Sequence, residues 1–117
     1  MKVQIYISHV NTIFAQKIKR MEYCTFSYTV HYNNRKTKSA VAPYRGEDLS
    51  DESLTEFVQE YFSGAPESYH TIEVNVEKKF ADEEQWINGI YDLDSFRYLQ
   101  KVNGYAGELL MKYFGKK

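Results

Sequence analysis

Alternating apolar and polar residues predict three half-buried β-strands. The clearest lies over residues 23–32, where every second side chain from Cys24 to Tyr32 is apolar or aromatic and the residues between them are polar. Residues 3–9 and 69–77 alternate in the same way, with Val and Ile at every second position of most of each run. A period of two places these large side chains on one face of a strand.

A turn after the clearest strand predicts a β-hairpin with a basic tip. Residues 33–36 read Asn-Asn-Arg-Lys, and Asn tolerates the positive φ that tight hairpin turns require. Residues 37–43 are then expected to return as the antiparallel partner strand.

Capping residues mark the predicted helices. Ser50 and Asp82 each precede an amphipathic run with acidic residues in its first turn, the pattern of a capped helix N-terminus. Gly64 is expected to end the first helix as a left-handed cap. Trp86 falls on the buried side of the second helix and is interpreted as a packing anchor. A last short helix is predicted over residues 106–114.

Two segments allow more than one interpretation. Residues 95–102 fit a helix through Phe96 and Leu99, or a strand through Phe96 and Tyr98. Residues 11–20 fit a helical turn, a bulky loop or a further strand.

The length and composition indicate one globular domain. A chain of 117 residues has the size of a single domain, here residues 1–117. It contains one cysteine, Cys24, which excludes an internal disulfide and is interpreted as a core residue, and its histidines lack the spacing of a zinc site. The N-terminus becomes polar at Ser8, before a signal-peptide core is complete, and no run approaches the roughly 20 apolar residues of a membrane span. We therefore expect a cytoplasmic protein without membrane contact.

The charge is divided along the chain. Residues 1–46 carry eight Lys or Arg and one acid, whereas residues 47–117 carry seven Lys or Arg and fifteen acids. Cations neutralise phosphates, and exposed aromatic rings stack on unpaired bases. The candidate nucleic-acid-binding residues are Lys17, Lys19, Arg20, Tyr32, Arg35, Lys36 and Lys38. The alternative is that these charges only protect a hairpin edge and that the tyrosines lie in the core.

The acidic half has a simpler explanation. Most of its carboxylates fall in the first turns of predicted helices, where the helix dipole favours them. A surplus of acid also suits a partner protein with a basic groove, or assembly of the chain into a homo-oligomer.

Two short motifs and the order of elements resemble the ribonuclease H family. Residues 3–7, Val-Gln-Ile-Tyr-Ile, resemble its opening strand, and residues 102–107, Val-Asn-Gly-Tyr-Ala-Gly, resemble its late Gly-His-x-Gly turn. The resemblance implies an α+β or α/β fold with a ribonuclease H-like mixed sheet of about five strands flanked by helices.

The resemblance also implies where a catalytic centre would lie. In members of that family, carboxylates bind two divalent metals, such as Mg²⁺, and the metals activate water. The acid of the first strand corresponds to Ser8 here, and the His of the late turn corresponds to Tyr105. Only Glu52, Glu56 and Glu77 remain as weak catalytic candidates. Glu77 is one residue away from the position that matches the family's acid on the fourth strand.

Three functions are compatible with these observations. The first is a non-catalytic ribonuclease H-like binding module that contacts a nucleic-acid or protein partner through the basic N-terminal hairpin. The second is a divergent metal-dependent nuclease acting on RNA or an RNA:DNA hybrid, the one case in which we expect Mg²⁺ as a cofactor. The third is a small oligomeric or inhibitor-type interaction protein that uses its acidic helices.

Overall fold

A computed structural model describes residues 20–115, and every structural statement below refers to this part of the chain. Its centre is an antiparallel sheet of three strands, β1 (Glu22–Tyr32), β2 (Thr37–Gly46) and β3 (Tyr69–Phe80). The strand order is β2-β1-β3, so β1 is the central strand. The predicted strand at residues 3–9 lies outside the described residues, as do residues 11–19.

Four α-helices accompany the sheet. They are α1 (Asp51–Tyr61), α2 (Glu83–Ile90), α3 (Asp94–Asn103) and α4 (Gly107–Phe114). A single turn of 3-10 helix, Pro66–Ser68, leads from α1 into β3. The chain is therefore an α+β protein with its helices mostly after its strands.

The expected ribonuclease H-like mixed sheet of about five strands is wrong. The described sheet has three strands, and β3 pairs antiparallel with β1 along its whole length. Residues 95–102 lie within α3, not in a strand. The physical reason is burial: helical spacing buries Phe96 and Leu99 almost completely, whereas Tyr98, which a strand would turn inward with Phe96, is 45% exposed.

The predicted hairpin is confirmed, with one difference at its turn. The inward side chains of β1 are buried as expected, and β2 returns in register from the pair His31 and Thr37. The positive φ of the turn, 75°, falls on Arg35 and not on an asparagine. Asn34 instead accepts the backbone N–H of Lys36 with its side chain, at 3.0 Å.

Both predicted N-caps are confirmed. Ser50 and Asp82 each accept a hydrogen bond from the backbone N–H three residues on, at 3.2 and 2.9 Å. The C-terminal prediction for α1 is wrong, because the cap is Phe62 with an ordinary negative φ. Gly64 adopts its left-handed conformation (φ 84°) two residues later, where it turns the chain toward β3.

The core consists of two connected clusters. In the first, α1 and α3 cover one face of the sheet, and Phe26, Val30, Leu54, Val58 and Leu99 are fully buried there. In the second, α2, α3 and α4 bury Trp86, Ile87, Ile90, Phe96 and Leu109. Tyr105, in the loop between α3 and α4, packs against both clusters and joins them.

Candidate functional site

The tip of the β1–β2 hairpin is fixed to the rest of the domain. Asn33 donates its backbone N–H to the carbonyl of Ser68 at 2.9 Å and its side-chain amide to the carbonyl of Glu67 at 2.8 Å. These two bonds tie the hairpin to the 3-10 helix before β3. The basic tip therefore has a defined position and is not a free loop.

The structure brings together only part of the predicted basic set at this tip. Arg35 and Lys36 are exposed at the turn, and neither forms an ion pair with any residue of the described range. Arg20 is exposed too, but it precedes the other end of β1, an 11-residue strand of roughly 35 Å. Lys17 and Lys19 lie outside the described residues.

Lys38 and Tyr32 flank the turn but point to the end of α1. The Lys38 ammonium donates to the carbonyl of Phe62 at 3.1 Å and lies 5.9 Å from the centre of its ring. The Tyr32 hydroxyl donates to the carbonyl of Ser63 at 3.0 Å, and its ring is half-buried. Tyr32 is thus mainly a packing residue, in agreement with the alternative interpretation for the tyrosines.

Beside the hairpin tip, these two side chains line a groove of about 710 Å³. Its floor is formed by β1 and β2 close to the turn, and its walls by the end of α1 and the start of α3. Aromatic rings run across it: Tyr28 stacks on Phe62 at 5.2 Å between ring centres, and Phe62 lies 5.7 Å from Tyr98. The volume is within the range of about 300–1,000 Å³ usual for ligand sites.

The Tyr28 hydroxyl is the most unusual group of this groove. Tyr28 is 3% exposed, and burial raises its pKa to about 12. Its hydroxyl has no hydrogen-bond partner among the described residues. It is not fully enclosed either, because His31 Nε2, outside the groove, is the one enclosed side-chain polar atom of the described residues that lacks a hydrogen bond. The hydroxyl therefore reaches the groove, where it stays neutral near pH 7.

Two carboxylates stand at the edge of the same groove. Asp94, the first residue of α3, accepts from the Arg97 guanidinium at 3.2 Å. Glu60 is exposed and forms no ion pair or hydrogen bond with the described residues. The groove thus offers aromatic faces, a partly satisfied ammonium group and one free carboxylate.

The three catalytic candidates do not converge. Glu52 and Glu56 are exposed on α1, and Glu77 is exposed on β3, at the point where the pairing with β1 shifts register. Within residues 20–115, no group of three or more His, Cys, Asp or Glu side chains is arranged to hold a metal ion. Ser8, the position of the expected first-strand acid, lies outside this range.

Other carboxylates of the acidic half hold α4 to α2 and to β2. Glu83 accepts from Lys112 at 2.8 Å and from the Tyr113 hydroxyl at 2.9 Å, and these hydrogen bonds lower the pKa of Glu83. Glu108 pairs with Arg45 at 3.0 Å, which likewise lowers the pKa of Glu108. These acids have structural partners, so they leave less of the acidic surplus for a partner protein.

Between residues 20 and 115, histidine and cysteine side chains add no reactive centre that the sequence overlooked. His31 lies 3.5 Å from the Glu73 carboxylate and 6.2 Å from the His70 ring, and these residues are scattered in the sequence but adjacent on β1 and β3. Cys24 is fully buried, and burial raises the pKa of its thiol to about 11, which confirms it as a core residue.

The groove is the feature that sequence reasoning missed. Tyr28, Phe62 and Tyr98 come from three different elements, and each alone fits an ordinary core pattern. The one available signal was Tyr98 itself, because a helical interpretation of residues 95–102 leaves this large ring on the surface.

Comparisons with known proteins return no similarity. No family model matches the chain, and neither a search of curated proteins nor a search of solved structures finds a match. The resemblance to the ribonuclease H family is therefore neither supported nor refuted by relatives. In the described part of the chain, no helix has the length and apolar character needed to cross a membrane.

Proposed function

We propose that the chain is a non-catalytic binding module that contacts single-stranded nucleic acid through the tip of its β1–β2 hairpin. The observation that carries this proposal is the pair Arg35 and Lys36, two adjacent, exposed cations without an ion pair among the described residues, on a turn held in place by Asn33. Unpaired cations at a fixed position contact phosphates without first breaking internal ion pairs.

Arg45, another cation of the basic half, supports the choice of this tip by contrast. Arg45 is bound to Glu108 and lies 5.8 Å from the Trp86 ring, so its charge serves the fold. The three catalytic candidates lie on different elements, Glu52 and Glu56 one turn apart on α1 and Glu77 on β3.

Binding of fluorescent oligonucleotides to the full chain tests the proposal. Single-stranded, duplex and RNA:DNA hybrid oligonucleotides are titrated at low and moderate salt, with the wild type and with the double variant Arg35→Asn, Lys36→Gln. Asn is chosen because it tolerates the positive φ of position 35. We expect the double variant to bind the single strand about tenfold more weakly at low salt.

The matched control is Lys78→Gln, Lys79→Gln. These two lysines are also adjacent and exposed, but they pair with the opposite end of β1. Their substitution therefore removes the same amount of positive charge far from the tip. We expect the control to bind within about twofold of the wild type. No binding by the wild type, or equal loss in both variants, overturns the proposal. Mg²⁺-dependent cleavage of a hybrid that Glu52→Gln and Glu56→Gln abolish overturns its non-catalytic part.

A further inference from the structure

The groove beside the hairpin tip has hydrogen-bonding capacity that the described residues do not use. The Lys38 ammonium has three N–H groups and gives one to the Phe62 carbonyl, which leaves two. The Tyr28 hydroxyl has no partner and lies at the floor of the groove. Lys38 is exposed and the Tyr28 hydroxyl is not fully enclosed, so water completes both groups in the free protein. A ligand that bonds both replaces this water with directed hydrogen bonds.

Aromatic surface is available next to these groups. The Tyr98 ring is 45% exposed, and on one side it lies beside Phe62, at 5.7 Å between ring centres. A flat ring that enters the groove can extend the series Tyr28, Phe62, Tyr98. Loss of an aromatic side chain on which a base stacks weakens binding by about tenfold or more, and the stacking needs no particular sequence.

We propose that this groove holds one unpaired base of a nucleic-acid strand and that Glu60 selects a base with an exocyclic amino group. The inference rests on the proposed function and extends it, because Tyr32 and Lys38 belong to both the hairpin and the groove. The base lies against Tyr98, its phosphate lies toward Lys38, and the strand continues over Arg35 and Lys36.

Glu60 accounts for the selectivity. A free carboxylate repels a polyanion, and it stabilises the complex only if the ligand donates a hydrogen bond to it. Cytosine presents an amino group as a donor where thymine presents a carbonyl oxygen, which a carboxylate repels. Glu60 thus both attracts a cytosine-like base and rejects a thymine-like base.

Short homopolymers of deoxycytidine and of thymidine test the inference, since both are pyrimidine strands with the same backbone. We expect the full chain to bind the deoxycytidine strand about fivefold more tightly and the variant Glu60→Gln to lose this preference. Tyr28→Phe removes only an unpartnered hydroxyl, so it leaves the fold intact and weakens binding of the deoxycytidine strand about threefold.

The ring is tested with Tyr98→Ala against the control Tyr91→Ala. Both tyrosines are about half exposed, at 45% and 48%, but Tyr91 contacts Phe114 and does not line the groove. We expect Tyr98→Ala to weaken binding of both strands about tenfold and Tyr91→Ala to leave it within twofold.

The outcomes separate the two proposals. If the hairpin variant loses binding but Tyr98→Ala and Tyr28→Phe do not, the strand passes the tip without entering the groove, and this inference alone is overturned. Equal affinity for the two homopolymers overturns the selection by Glu60. If the wild type binds neither strand, both proposals are overturned, and a peptide then becomes the candidate ligand of the groove.

Discussion

Trp86 connects the second core cluster to the central strand, β1. Its indole Nε1 donates to the carbonyl of Cys24 at 2.9 Å, and its ring lies 5.4 Å from Tyr23. The helical spacing of α2 predicts that Trp86 is buried, but not which carbonyl it contacts, because 62 residues separate the two partners. The turn at Arg35 is limited in the same way. The local sequence does not determine which turn residue adopts the positive φ, because this depends on the backbone hydrogen bond between Tyr32 and Lys36.

At this scale we predict that Trp86→Phe destabilises the fold. The smaller ring leaves a void, and the buried carbonyl of Cys24 loses its donor, so the free energy of unfolding falls by about 2–4 kcal/mol. Denaturant titration followed by circular dichroism measures the change. The control Tyr91→Phe alters an exposed ring and is expected to change stability by less than about 0.5 kcal/mol. A Trp86→Phe variant as stable as this control contradicts the assigned hydrogen bond.

At the scale of elements, signals between residues close in sequence predict single strands and helix ends, but they do not predict how the strands pair. The alternation of β1 and the caps Ser50 and Asp82 are confirmed because each depends on residues close in sequence. The five-stranded mixed sheet is wrong because the order of elements does not determine how strands pair, and β3 joins β1 antiparallel. For residues 95–102, local spacing fits both a helix and a strand. The helix α3 is favoured because its side chains are buried in two separate core clusters.

The contact between α2 and α4 gives a pH-dependent prediction. Hydrogen bonds from Lys112 and Tyr113 lower the pKa of Glu83, so the carboxylate stabilises the fold above its unfolded pKa of about 4.3. This stabilisation is lost as the pH falls through the lowered pKa of the folded state. We expect Glu83→Gln to lower the melting temperature by about 2 °C at pH 7.

Melting curves between neutral and strongly acidic pH test this contact. The difference between Glu83→Gln and the wild type is expected to vanish at acidic pH, where the glutamate is protonated and resembles glutamine. Glu84→Gln, which alters an exposed neighbour in the same helical turn, is the control; it loses only the interaction with the helix dipole, so we expect a smaller decrease at pH 7 than for Glu83→Gln. A pH-independent difference for Glu83→Gln contradicts the ionic nature of the contact.

For the whole molecule, Tyr105 determines whether the two clusters act as one. Its hydroxyl accepts the backbone N–H of Arg45 at 3.2 Å, and its ring lies within 6.4 Å of Phe57, Trp86 and Phe96. We therefore predict a single cooperative unfolding transition for the full chain. Trp86 fluorescence reports the second cluster, whereas far-ultraviolet circular dichroism reports all elements. Coincident transitions are expected, and two separate midpoints contradict a single domain.

For the whole molecule, the structure also changes how the division of charge along the sequence is interpreted. Those cations of the basic half that fall within residues 20–46 do not form one surface, because Arg45 is paired and Arg20 lies at the far end of β1 from Arg35 and Lys36. The sequence predicted a basic hairpin, but which of its cations remain unpaired depended on the packing of α1 and α4 against the sheet.

The salt dependence of oligonucleotide binding tests the central claim most directly. Each phosphate contact made by a cation contributes about 0.7 to the slope of log affinity against log salt for a single strand. The account predicts that Arg35→Asn, Lys36→Gln reduces this slope by about 1.4 relative to the wild type, while Lys78→Gln, Lys79→Gln leaves it unchanged. An unchanged slope for the hairpin variant would show that its tip does not contact phosphates and would contradict the proposed function.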